Sequence, residues 1–413
     1  MTFSSILRRS GVILFTCVAI LTSAASCSLP FGSTTTAKTL GILKFDTTVN
    51  TEKFARANAV TGLNGETDQQ GLTSISVQKL IPAGNNNLYA ISSQRGIFFS
   101  ENGGQTWQRR YVFPLTSTAT DQKQKDQDIN TALDKNNAFT VVDIAKDAND
   151  DKKIYAAGTY NGVPKIYQSI NSGETFKEVY SEVGSFNEIN QIIINPQRSL
   201  EIYALLGKSD IIRSTDGGQT WGKLAVVEQN PVYIGITPDK NQLYVIRKNG
   251  VPLISPNRDK NFQELRFTKK VDATVKTGYF NSSSTTFNSY QWAIAVPGSN
   301  DEGWVVVADS QIWYRTAAAE QFSQMVLPVQ GDKYNILDVE LHPEKKLDKI
   351  YIAVDNSLFV TENRGESWDI DDRIRVSTEI GYINDIIIDP KNPNITYLTL
   401  TDSKFISYRG VTF

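Results

Sequence analysis

The chain has 413 residues, 40% hydrophobic and 21% charged, with 42 Lys and Arg against 44 Asp and Glu. A formal net charge of −2 argues against a polyanion as the main ligand, so nucleic acid is not an expected partner. With two cysteines and one histidine there is no disulfide framework, no Ser-His-Asp or Cys-His arrangement and no clustered metal-ligand spacing, so neither a cofactor nor a metal is expected.

Residues 1–26 read as a secretory signal peptide. Arg8 and Arg9 stand in a leader without acids, and the apolar run 11–25 is too short to span and stay as a membrane helix. The leader ends at Ala24-Ala25-Ser26-Cys27, which resembles the bacterial lipoprotein cleavage box, although Ala24 stands where Leu is usual. That resemblance implies acylation of Cys27 and anchoring to the outer side of a bacterial membrane; ordinary cleavage near the same place and an uncleaved anchor are the alternatives. Cys17 leaves with the signal, so Cys27 has no disulfide partner, and loss of Arg8 and Arg9 takes the net charge from −2 to −4. Residues 27–38, with Ser33, Thr34, Thr35 and Thr36 in a row, read as a flexible tether.

From residue 39 the chain is built from repeats. Short apolar, aromatic-rich segments recur at 88–91, 154–157, 202–205, 243–246, 304–307, 350–353 and 396–399, each a strand preceded by another that ends in a Pro, Gly, Asp or Asn turn. After four of them comes the pattern S/T-x-D/N-x-G-x-S/T-W/F. Its fixed positions are Ser100, Asn102, Gly104 and Trp107; Ser169, Asn171, Gly173 and Phe176; Ser214, Asp216, Gly218 and Trp221; and Thr361, Asn363, Gly365 and Trp368. In a hairpin turn the Asp or Asn side chain accepts from backbone N–H groups, Gly supplies φ > 0 and the aromatic ring covers the turn. Residues 255–262 are a worn copy, and 316–322 a remnant.

A period of roughly forty to fifty residues with four strands per unit predicts propeller blades. They are placed near 72–115, 139–183, 189–228, 231–268, 289–328, 335–376 and 381–413. The last has only three strands, including 404–408, and segment 40–45 is expected to add its outer strand and so close the ring; a six-blade closure is the alternative. The repeated pattern resembles the Asp-box, or BNR repeat, of sialidases, sortilin-type receptors, xyloglucanases and the photosystem II stability/assembly factor family. That resemblance implies an all-β, seven-bladed β-propeller with Asp-box hairpins on a rim away from the ligand site. The single-propeller, signal-bearing layout looks most like the assembly factor family, which implies an assembly or scaffold role.

The opposite face carries the turns between second and third strands, and these are expected to bring together Arg95, Tyr160, Asn161, Lys208, Asp210, Lys248, Asp309, Asp355, Asp402 and Lys404 as a candidate binding face. Two long links, 116–137 and 269–288, also reach that face, the second with Tyr279 and Phe280. His342, before Pro343, reads as a turn residue, and 147–151 imitates the start of a calcium loop but has Lys152 where Gly is needed. The expectation is an envelope-anchored, non-catalytic binding or assembly scaffold for a protein or glycan, its binding face held away from the membrane. The alternative is an extracytoplasmic glycoside hydrolase similar to sialidases or xyloglucanases. That would need two carboxylates about 5–10 Å apart across the axial pocket. The sialidase Arg-Ile-Pro motif is absent from the chain, so the likeness to sialidases is to the scaffold.

Overall fold

In the computed structural model Lys38–Phe413 forms one compact unit. The structure describes residues 41–46, 55–56, 60–61, 67–68, 72, 76–92, 95–112, 139–182, 188–270, 285–329, 335–355, 357–370, 382–401, 407–408 and 411–412. The expected signal peptide and tether, with Cys27, lie outside them. No α-helix occurs among the described residues.

Six four-stranded antiparallel sheets are each made of consecutive strands. Sheet 1 is Lys79–Pro82, Leu88–Ser92, Gly96–Ser100 and Gln108–Arg110. Sheet 2 is Thr140–Lys146, Ile154–Tyr160, Val163–Ser169 and Lys177–Ser181. Sheet 3 is Ile189–Asn195, Arg198–Leu206, Asp210–Ser214 and Gly222–Val226. Sheet 4 is Pro231–Ile236, Leu243–Arg247, Leu253–Ser255 and Gln263–Glu264. Sheet 5 is Tyr290–Ala295, Trp304–Ala308, Gln311–Arg315 and Ser323–Met325. Sheet 6 is Ile336–His342, Lys346–Val354, Ser357–Thr361 and Asp369–Ile370.

A closing sheet joins the two ends of the chain. Tyr382–Ile388 and Ile395–Thr401 are its first two strands, Gly41–Asp46 pairs with the second, and Ala55–Arg56 lies outermost. This corrects the expected arrangement: the N-terminal strand occupies the third position, registered from Gly41 opposite Leu400 to Asp46 opposite Ile395. Ser407–Tyr408, expected within the third strand, pairs instead with Val411–Thr412. The second strands of sheet 1, sheet 5 and the closing sheet are buried along their whole length. A strand covered on both faces reads as a continuous apolar run, which is why these segments stood out in the sequence. Packed side by side with their first strands innermost, the sheets form a β-propeller.

The seams are stitched by a repeated device. In sheets 2 to 6 and the closing sheet the first strand carries a one-residue bulge, at Val142, Asn190, Val232, Gln291, Leu337 and Asn384. The bulge re-aims the next side chain. Asp143 accepts from the Ile192 N–H of sheet 3 at 2.9 Å, Gln191 from Ile234 of sheet 4 at 2.8 Å, and Asp338 from Ile386 of the closing sheet at 2.7 Å. Lys79 of sheet 1 donates to Asp143 at 2.6 Å, and Asn384 donates to the Gln78 carbonyl. Where the post-bulge residue is Tyr233 or Trp292, apolar packing takes over.

The four repeated turns close identically. The first-position hydroxyl accepts from the Gly N–H at 2.8–2.9 Å, and the Asn or Asp at position three accepts from the N–H at position seven at 2.9–3.0 Å. The glycines Gly104, Gly173, Gly218 and Gly365 have φ from 79° to 88°. A Cβ at Gly173, Gly218 or Gly365 would meet Arg110, Val179 or Met325 of the preceding sheet at 3.1–3.5 Å, so each turn is also an inter-sheet contact. The worn copy keeps the bond from Asp259 N to Ser255 Oγ at 2.9 Å and reroutes the second, with Asn261 N donating to Asp259 at 2.8 Å.

The Thr220 hydroxyl, with the Thr220 N–H, holds the exposed Asp216 carboxyl at about 2, below its ordinary 3.8. A depressed folded-state value means the contribution is full above the ordinary pKa and is lost as pH falls from near 4 towards 2. Asn stands at this position in the other three copies. Asp216→Asn is therefore expected to lose stability relative to the parent at pH 7 and to converge with it near pH 2. Urea midpoints across that window check this; a difference that stays constant with pH would contradict it.

Candidate functional site

The turns between second and third strands gather on one face, opposite the repeated turns. Asn161 and Asp309 occupy tight two-residue hairpins with φ of 51° and 52°, followed by Gly162 at 73° and Ser310 at 60°. Asp355 has φ of 51°. Asn and Asp tolerate this left-handed geometry, and hairpins favour it because its twist matches the strands. Turn formation accounts for these three residues. Asp402 and Lys404 lie outside the described residues.

The carboxylates of this face are engaged locally. Asp210 pairs with Lys223 at 3.0 Å, and Asp355 accepts from the Asn335 amide at 2.8 Å. Asp309 pairs with Lys269 at 2.7 Å, the two side chains being only 5% and 8% exposed, and it also accepts from Asn288 N and Ser289 N. The Lys269 ammonium lies 5.2 Å from the ring centres of both Phe287 and Trp313. Asp309 is therefore a buried structural residue rather than a ligand-facing one.

Of the other expected residues, Lys208 and Lys248 are exposed at adjacent turns, and Tyr160 is half-buried against the core between sheets 1 and 2. Arg95 borders, with Arg109, Arg110 and Tyr111, a depression of about 20 Å³. That is room for about one water molecule.

The buried Lys269 escaped the sequence reading because a lone Lys inside a polar link carries no local signal. It anchors the second long link: Thr268 pairs with Thr286, Lys269 N donates to Thr285 O, and Lys270 N donates to Phe322 O. Tyr279, Phe280 and residues 113–138 lie outside the described residues.

Ile395–Thr401 runs towards the second-to-third turn face, and its antiparallel partner therefore enters at that same face, with Gly41 beside Leu400.

On the opposite face, His342 and the calcium-like segment serve their own turns. His342 is buried, and its Nδ1 accepts from Glu344 N and Lys345 N at 3.2 Å each. Burial, together with nearby Lys349 and Lys345, holds its pKa below the usual imidazole value, as an accepting neutral ring requires. In the calcium-like segment, Asp147 accepts from Asn149 N and the Ser199 hydroxyl, while Asp151 pairs with Lys146 and Lys391.

No family model matches the chain, and no curated protein matches its sequence. Solved structures do match in shape. YCF48 bound to a D1 peptide aligns with a TM-score of 0.53 at 11% identity, covering 80% of this chain and 93% of that one. YCF48 from Cyanidioschyzon merolae aligns at 0.54 and 11%, covering 79% and 96%. The GH74 xyloglucanase from Xanthomonas campestris aligns at 0.54 and 15%, with 79% of this chain on 51% of that one. The likeness is one of fold.

Proposed function

We propose that the chain is an exported, lipid-anchored, seven-bladed propeller of the Asp-box type that binds a protein partner on its second-to-third turn face without transforming it. Cys27 is its attachment to the outer side of a bacterial membrane, and the sheet built from both chain ends is its seventh blade. The observation that carries the reading is that Asp210, Asp309 and Asp355 are each held by a local donor; Lys208 and Lys248 add exposed positive charge to the same face. A hydrolase needs one carboxyl poised as an acid opposite a second that acts as base or nucleophile, whereas these three serve their own turns. The YCF48 structure with a D1 peptide supports a peptide as the kind of ligand such a fold holds, at the level of shape alone. Because the chain enters on this face, the partner is one embedded in or lying close to the same membrane.

Crosslinking capture from native membranes tests this, with Lys208→Glu/Lys248→Glu compared against the parent. At least a tenfold loss of a captured membrane protein in the variant is expected. Equal capture by both, or release of reducing ends from xyloglucan by the parent, would overturn the reading.

A further inference from the structure

A second opening lies far from that face. A groove of about 480 Å³ runs along the seam between sheets 5 and 6, within the size range of small-ligand sites. Tyr314, Gln324 and Val326 line it from sheet 5; Arg364, Glu366 and Trp368 line it from the repeated turn of sheet 6.

Trp368 differs from its counterparts. The indole N–H groups of Trp107 and Trp221 are tied to the carbonyls of Gly104 and Gly218 at 3.1 and 3.2 Å. That of Trp368 is buried and has no acceptor within the protein. An unsatisfied buried donor costs about 1–3 kcal/mol, so this ring gains by turning onto an oxygen brought into the groove.

Arg364 sits at φ 60°, in the left-handed position that Gly103, Gly217, Ser172 and, in the worn copy, Arg258 take in the other turns. Its guanidinium is held by Asp348 at 2.5 Å, within the groove wall that also carries Glu366 and Tyr314. Val326 remains 59% exposed beside these polar groups, with Ile370 38% exposed two residues beyond Trp368.

We propose that this groove is a saccharide-binding subsite, in which Trp368 and Tyr314 face a sugar ring and Arg364, Gln324 and Glu366 meet its hydroxyls. Sugar rings have apolar faces edged by hydroxyls, and this wall of aromatic rings interleaved with guanidinium, amide and carboxylate complements both. The proposal stands on residues remote from the turn face and is independent of the partner assigned there.

The test uses indole N–H NMR of the propeller, whose six tryptophans give separate signals; loss of one in Trp368→Phe assigns it. Cellopentaose, maltopentaose and chitopentaose are the probes. At least one is expected to shift the Trp368 signal saturably while leaving those of Trp107 and Trp221 in place. Gln324→Ala and Glu366→Ala, which alter half-buried and exposed side chains and leave the core intact, are each expected to weaken that binding about tenfold. No shift with any probe, undiminished affinity in both variants, or loss of binding in Lys208→Glu/Lys248→Glu instead would overturn the subsite.

Discussion

Removal of residues 1–46 is expected to leave a propeller that no longer folds stably at neutral pH, whereas a chain starting at Lys38 is expected to melt like the parent. Gly41–Asp46 is registered against six residues of Ile395–Thr401, and Ile42 is 2% exposed in the core shared with Leu80, Trp107 and Tyr397. At about 1 kcal/mol per backbone hydrogen bond and about 2 kcal/mol for one buried Ile, the strand contributes on the order of 8 kcal/mol. Whole domains are stable by roughly 5–15 kcal/mol. Urea unfolding of the two truncations measures the difference; equal midpoints would show that the ring is held without this strand.

The second large effect is expected at Asp309. Asp309→Ala should destabilise the protein by about 4 kcal/mol, because removing one partner of a buried pair strands the other. It leaves the Lys269 ammonium between Phe287 and Trp313 without its counter-charge, and it also deprives Asn288 N and Ser289 N of their acceptor. Lys269→Met is expected to be milder, since the carboxylate retains both backbone donors. The double variant Lys269→Met/Asp309→Ala should recover part of the loss, which gives the cycle a positive coupling. A cost below about 1 kcal/mol for Asp309→Ala would mean that water reaches the pair and that the link is anchored by its backbone pairing alone.

The repeated turns were legible because all their bonds join residues two to four apart, so spacing in the sequence is spacing in space. The closing strand was legible as a strand but not in its place. Two distant segments compete for the flank of Ile395–Thr401, and the six-residue match of Gly41–Asp46 outreaches the two-residue Ser407–Tyr408. The candidate face was located through its turns, yet the polar residues there followed from the turns themselves. Asp309 illustrates this: the same side chain that suits a left-handed hairpin also neutralises a lysine forty residues earlier, and only the fold brings the two together. The seam bonds of Asp143, Gln191 and Asp338 depend on bulges, which leave no mark in an apolar run.

The pairing of Gly41 with Leu400 also sets a timetable. Ribosomal synthesis delivers the latch strand well before its partner, so the six sheets between them emerge as an open row. Ring closure must bring together segments separated by all six intervening sheets, a contact of very high order whose formation is correspondingly slow. Until then the edge of Ile395–Thr401 is exposed and open to mispairing. Under the proposed export the delay would be useful, since the ring stays unlocked until the partner strand has followed the latch strand through.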